Sequence, residues 1–336
     1  FIRRLVERQF EGRLVLVSGE DERVLRTVEK LAAAHKVRVL GILPKPVQQD
    51  QLAVMLRRYR PPSSTFEIAW RKTYPVEAIK EAIDGGHISV HYEPKVAVAT
   101  GAFEGVEALA RWNHPKDGLL LPQQFVSVAE TSGLIGSITR IVFSKAIAQM
   151  AQWRSVGLSV RMAVNVSVDA LADLHFADFA HEQVTKAGVP ARDVTLEITE
   201  SRLMQDLRVP LEVLMRLHLM RFELSIDDFG TGYSSLTQLQ DIPFSELKVD
   251  RSFVHRGGQD QTVQTMYATC LGLARQLRMR AVAEGVETQE DWQFVRKSEC
   301  DLAQGYFIWR AMPPEAIMGW RTRWQERVKA NFPEQD

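Results

Sequence analysis

Apolar positions along this chain fall into short alternating runs separated by longer stretches of helical spacing. Residues 1–10 read as the end of an amphipathic helix, 13–18 as a buried strand, 21–35 as a helix, 37–43 as a second strand and 49–59 as another helix. Arg60-Pro61-Pro62-Ser63-Ser64 is a linker by composition. Beyond it a helix over 75–84 stops at Gly85-Gly86, a favourable C-terminal cap. A strand then opens at Ile88 and closes at Glu93-Pro94, where proline permits an edge or a strand end. Further strands are predicted at 105–112, 161–167, 194–200, 222–226, 246–251, 280–283 and 301–303. Helices are predicted over 136–156 and 260–277, with another opened by Pro122. In the helix over 260–277, Val263, Met266, Cys270, Leu273, Ala274 and Leu277 are spaced for core packing. Strand–helix alternation sustained over this length predicts an α/β fold with a parallel sheet.

The strand ends carry the chemistry. The strand over 222–226 runs into Asp227-Asp228, then into a loop with Gly230 and Gly232. Adjacent carboxylates repel unless they share a cation or a proton, so this pair reads either as a divalent-metal site or as a solvated turn. Period-2 alternation puts Glu107, Leu109 and Arg111 on one face of their strand, as a structural ion pair or as a ligand and a phosphate clamp. Asn165 and Ser167 stand at the next strand end, where capping a helix is the simpler role. Thr195, Glu197 and Thr199 share a face opposite Val194, Leu196 and Ile198, and a carboxylate facing inward needs compensation. Glu246, Lys248 and Asp250 also share a face.

Composition narrows the choices. The 336 residues are 45% hydrophobic and carry no net formal charge, but residues 1–60 hold 13 Lys and Arg against 7 Asp and Glu, leaving 29 against 35 beyond. An acidic body argues against a DNA or RNA duplex as partner. Cys270 and Cys300 are too few for a disulfide framework or a zinc site, so a cytoplasmic setting is expected. The eight histidines read as surface or packing residues. No apolar run approaches the roughly 20 residues that cross a bilayer. The chain begins at Phe1 within a predicted helix, which reads as part of something longer.

Glu107, Asn165, Glu197, Asp227, Asp228, Lys248, Glu284 and Gln304 each fall at or near the C-terminal end of a predicted strand. That register is what a (β/α)8 barrel enzyme would produce. With oxygen ligands and one lysine, Mg2+ or Mn2+ suits the set better than zinc, and carboxylates around two cations suit phosphodiester hydrolysis.

Residues 71–330 resemble the EAL family of cyclic di-GMP phosphodiesterases. The resemblance rests on Glu107-Ala108-Leu109, Asn165-Val166-Ser167, Glu197-Ile198-Thr199-Glu200, Asp227-Asp228-Phe229-Gly230-Thr231-Gly232-Tyr233-Ser234-Ser235-Leu236, Lys248-Val249-Asp250-Arg251, Glu284-Gly285-Val286-Glu287 and Gln304-Gly305-Tyr306. It implies a modified TIM barrel with one antiparallel strand, at 88–93. It implies two Mg2+ or Mn2+ ions held by Glu107, Asn165, Glu197, Asp227 and Asp228, with Glu284 close by. The implied reaction is in-line attack of a metal-bound water on phosphorus, opening cyclic di-GMP to linear pGpG, with Lys248 and Glu284 as catalytic residues. Arg111 is expected to grip a phosphate oxygen, and Leu109, Asp250, Gln304 and Glu93 to border the dinucleotide. Glu200 resembles the glutamate that anchors the loop after Asp227-Asp228, and homodimerisation beside that loop is implied. Glu93-Pro94 and Arg310-Ala311-Met312-Pro313 depart from the family's Gln-Pro and Arg-Pro-Met-Pro. The alternative is an inactive EAL domain that senses cyclic di-GMP or a protein.

Upstream, Ser18 and Lys45-Pro46 after successive strands resemble the closing part of a flavodoxin-like response-regulator receiver domain. An ordinary α/β fragment would give the same pattern. The part that should carry the phosphorylatable aspartate is absent, so no working phospho-receiver is expected. The expected organisation is a receiver-like fragment over 1–60, a linker over 61–70, the barrel over 71–330 and a tail over 331–336.

Overall fold

The computed structural model describes residues 13–18, 32, 38–45, 47–48, 52, 55, 72–199, 208–230, 242–255 and 257–331. The chain divides into two compact units, Phe1–Lys72 and Thr73–Asp336. In the first, β1 (Arg13–Ser18) and β2 (Arg38–Pro44) lie parallel, with a shift in register between Leu14 and Val15. The Lys45 amide donates to the Ser18 carbonyl at 2.9 Å. Pro46, the linker over 61–70 and the full spans of the helices expected upstream lie outside the described residues.

The second unit is a closed barrel. Its strands are β3 (Ile88–Ala97), β4 (Phe103–His114), the short β5 (Gly118–Leu120), β6 (Arg161–Asn165), β7 (Val194–Thr199), β8 (Glu223–Phe229), β9 (Glu246–Val249), β10 (Arg280–Ala283) and β11 (Leu302–Gln304). Their order is β3-β11-β10-β9-β8-β7-β6-β4, and the β3–β4 pairing closes the ring, with β5 appended to β4. Within the ring every neighbouring pair is parallel except those of β3, which is antiparallel to both β4 and β11. Residues 98–102 are too few for the crossover that parallel strands require, so β3 and β4 form a hairpin. The reversed strand expected at 88–93 is therefore real and continues to Ala97.

Pro94 lies inside that strand, not at its end. Tyr92 exchanges both backbone hydrogen bonds with Met312, and β11 begins its pairing only at Lys95. The nitrogen of Pro94 faces the gap between these contacts, so its missing N–H costs no ladder bond.

Strands here are covered on both faces, as a barrel inside a helical shell requires. All of Val194 to Ile198 is buried. Val194, Leu196 and Ile198 join the hydrophobic core, while Glu197 reaches β3 and β9 across the barrel interior. The helix Ile135–Ser155 buries Ile138, Val142, Ala146 and Trp153 at helical spacing, and the Trp153 ring packs edge-on against Tyr92 at 4.8 Å. The helix Gln261–Gln276 follows expectation except at Met266, with Val263, Leu273 and Leu277 packed against the core. It buries Tyr267, Cys270, Leu271 and Ala274 and leaves Met266 50% exposed. Tyr267 takes the core contact in place of Met266.

Candidate active site

Seven parallel strands deliver polar residues to one mouth of the barrel. Glu107 comes from β4, Asn165 ends β6, Glu197 sits near the end of β7, and Asp227 and Asp228 lie on β8. Lys248 is on β9, Glu284 follows β10, and Gln304 ends β11. The register sets Asn165 beside Glu197, and Thr199 beside Asp227.

At the centre is Lys248, 1% exposed. Its Nζ lies 2.8 Å from Glu284 Oε1, 3.0 Å from Glu197 Oε2, 3.1 Å from Asp227 Oδ1 and 3.3 Å from Glu107 Oε2. Glu107 is held from two more sides. Asn165 Nδ2 donates to its Oε1 and Gln304 Nε2 to its Oε2, each at 2.6 Å. Asp227, Asp228 and Glu284 each bring a carboxylate oxygen within 4.8 Å of the others.

One ammonium cannot neutralise so many carboxylates. Burial opposes the charge of Glu107, but Lys248, Lys95 and the two hydrogen bonds prevail and hold it at about 2. Burial and the Glu107 charge push Glu197 up to about 8. Burial also drives Glu284 well above the carboxylate range. Asp228 rises to about 6, from burial and the adjoining Asp227. Lys248 is pushed well above the usual lysine value: burial works against its charge, and the surrounding carboxylates outweigh burial. The ring thus has room for more positive charge than the protein supplies. Its donors are oxygens, and the buried Oε1 of Gln304 has no hydrogen-bond partner. This set fits hard divalent cations.

Other expected residues have specific places. Arg111 is 7% exposed, its Nη1 donates to the Ala110 carbonyl at 2.8 Å, and its buried Nε has no partner. It makes no ion pair with Glu107, which removes the structural-pair alternative. Leu109 is half-buried on the same strand, opposite His91. Glu93 lies beside Glu107 in the β3–β4 register, and burial followed by the Glu107 charge raises it to about 7. Asp250 caps the short helix Arg251–Val254, accepting from the Ser252 amide at 2.9 Å. Glu200 and residues 231–241 lie outside the described residues.

Two further charged residues, outside the set expected from the sequence, adjoin the site: Lys95 in the barrel interior and Arg280, its side chain 30% exposed, at the interior's edge. Lys95 Nζ lies 2.6 Å from Glu197 Oε1 and 3.2 Å from Glu246 Oε1. Arg280 Nη2 reaches Glu246 Oε2 at 3.1 Å. The available signal was a lysine inside the apolar run after Pro94, in period-2 phase with Glu93.

Comparison with known proteins agrees with this fold. The family described as EAL domain matches residues 76–311. The chain is 33% identical over 307 residues to the cyclic di-GMP phosphodiesterase RocR of Pseudomonas aeruginosa, covering 90% of this chain and 78% of RocR. It is 37% identical over 252 residues to the oxygen sensor protein DosP of Escherichia coli, covering 72% of this chain but 30% of DosP. The chain therefore spans less than a third of that relative's length. Among solved structures, the PaMucR phosphodiesterase in complex with c-di-GMP is 37% identical with a TM-score of 0.68, covering 72% of this chain and 98% of that one. On the family match and the barrel that carries it, this chain belongs to the EAL domain family.

Proposed function

We propose that the chain is a metal-dependent cyclic di-GMP phosphodiesterase that opens one phosphodiester to give linear pGpG. The observation that carries this reading is the convergence of Glu107, Asn165, Glu197, Asp227, Asp228 and Glu284 around Lys248 at one barrel mouth. RocR, named as a cyclic di-GMP phosphodiesterase, and PaMucR, solved with c-di-GMP, support the choice of substrate.

Glu107, Asn165, Glu197, Asp227 and Asp228 would hold two Mg2+ or Mn2+ ions, with Glu284 close to them. When bound, such ions supply Lewis acidity, making water more acidic and offsetting phosphate charge. The protein's own groups divide the remaining work. Lys248 Nζ, ringed by carboxylate oxygens at 2.8 to 3.3 Å, acts as a hydrogen-bond donor that orients the attacking water. Glu284, 2.8 Å from Lys248 Nζ and beside Asp227 and Asp228, is placed to accept the proton of that water. Arg111 turns its unpartnered Nε to a non-bridging phosphate oxygen. Leu109, Glu93, Asp250 and Gln304 border the dinucleotide, and Glu200 anchors the loop after Asp228.

We place a homodimer interface beside that loop, and the protein in the cytoplasm with no duplex nucleic acid as partner. Among the described residues no helix is long and apolar enough to cross a membrane. Residues 1–60 are read as a receiver-like fragment and 61–70 as a linker.

The test is chromatographic: purified chain with cyclic di-GMP and Mg2+, Mn2+ or EDTA, beside Glu107→Ala. Metal-dependent pGpG that disappears in the variant is the expected result. Binding of cyclic di-GMP without turnover under either metal would replace the enzyme reading with that of a sensor, and Glu93 would be the first residue to restore to glutamine.

A further inference from the structure

Glu197 is gripped from both sides. Its Oε2 faces Lys248 at 3.0 Å, among the carboxylates of the barrel mouth. Its Oε1 is taken from the other side by Lys95 Nζ at 2.6 Å. Lys95 belongs to the reversed strand β3, opposite Gly105 and deeper in the barrel than the Glu93–Glu107 pair. Its side chain is 5% exposed. Burying an ammonium is costly unless carboxylates flank it, and two do, Glu197 and Glu246, the second also held by Arg280 at 3.1 Å.

We infer that Lys95 is a positioning residue for the proposed hydrolysis: by occupying Glu197 Oε1 from beneath, it leaves Glu197 to meet a divalent cation through Oε2 alone. The inference rests on the reading of Glu197 as a metal ligand. A carboxylate free at both oxygens can chelate one ion with both, which moves the ion relative to its other ligands. Pinning one oxygen removes that option. Because Lys95 arrives from the far side, it does so without occupying the space where substrate binds. The Glu246–Arg280 pair holds Lys95 in turn, which makes the chain Arg280–Glu246–Lys95–Glu197 a brace running from the opposite end of the barrel to the site.

The experiment uses Lys95→Met and the double variant Lys95→Met with Glu246→Gln. The double variant removes the lysine together with the charge of one of its two buried carboxylate partners, so it carries the test where the single variant misfolds. The first readout is the electron paramagnetic resonance spectrum of bound Mn2+ without substrate. The second is kcat and KM for cyclic di-GMP at saturating Mn2+. The expected result is an altered Mn2+ spectrum and a kcat lowered about tenfold to a hundredfold, the range for losing a group that orients a ligand, with KM changed less than about threefold. A folded variant with the wild-type Mn2+ spectrum, or with wild-type kcat, overturns the role of Lys95. A wild-type chain that binds no Mn2+ overturns instead the ligand reading beneath it, so the two failures are distinguishable.

Discussion

Lys248 Nζ lies 2.8 Å from Glu284 Oε1, the shortest of its four carboxylate contacts. These contacts tie β9 to β4, β7, β8 and the end of β10, so this one buried cation joins most of the barrel mouth. Removing one partner from a buried charge network costs about 3–5 kcal/mol. Lys248→Met should therefore lower unfolding stability by about that amount in EDTA, measured by urea titration, and should abolish pGpG formation. Added Mn2+ should stabilise the variant more than the wild type, because it supplies the missing positive charge. Equal stability of the two chains in EDTA would refute this account of the mouth.

Asp228 has φ of 56°, in the left-handed region. Asparagine visits that region readily, whereas alanine pays about 1–2 kcal/mol. Asp228→Asn should thus melt near the wild-type temperature and Asp228→Ala several degrees lower. Both should lose at least about a hundredfold in activity if the carboxylate holds a cation. Melting curves and pGpG assays on the pair separate backbone strain from chemistry.

Gly305 has φ of +144° directly after Gln304, and a Cβ there would meet the Val286 backbone nitrogen at 2.4 Å. That stretch of Val286 donates to the Gln304 carbonyl at 3.1 Å and accepts from the Phe307 amide at 2.9 Å. Because the obstacle is backbone, no side chain can turn aside. Gly305→Ala should cost at least about 2 kcal/mol and displace Gln304, weakening its 2.6 Å bond to Glu107. A drop in melting temperature together with a drop in kcat is expected, and a fully active, fully stable variant would contradict it.

Cys300 is 4% exposed and its Sγ lies 3.3 Å from the carbonyls of Ala281 and Leu302. Burial, the largest influence on it, pushes the thiol up to about 11. A raised value means less thiolate at a given pH, so at pH 8 the folded chain holds about a hundredfold less than an ordinary cysteine. Iodoacetamide should label Cys300 slowly at pH 8, faster as pH approaches 11, and promptly at pH 8 in denaturant. Rapid native labelling at pH 8, located by mass spectrometry, would show the site to be open.

Much of this protein is legible without coordinates because barrels keep strand order and inward phase local. Alternation alone placed Thr195, Glu197 and Thr199 on the face opposite Leu196, and carboxylates at successive strand ends pointed to one mouth. Helix faces were read less well: Met266 shares the period of its neighbours, but packing against the barrel selected Tyr267 instead. Proline's inability to donate suggests a strand end at Pro94; that its nitrogen faces a gap between Met312 and β11 is a property of the closed ring. Asp250 matched a site motif and also serves as a helix cap.

The chain's local chemistry determined the family, the strand ends and the acidic set. Tertiary structure decided which charges answer which. Lys95 finds its carboxylates 102 and 151 residues away along the chain, and no local pattern links them. They meet because a short hairpin reverses β3 and ring closure sets it between β4 and β11, which turns a lysine near a proline toward the barrel interior.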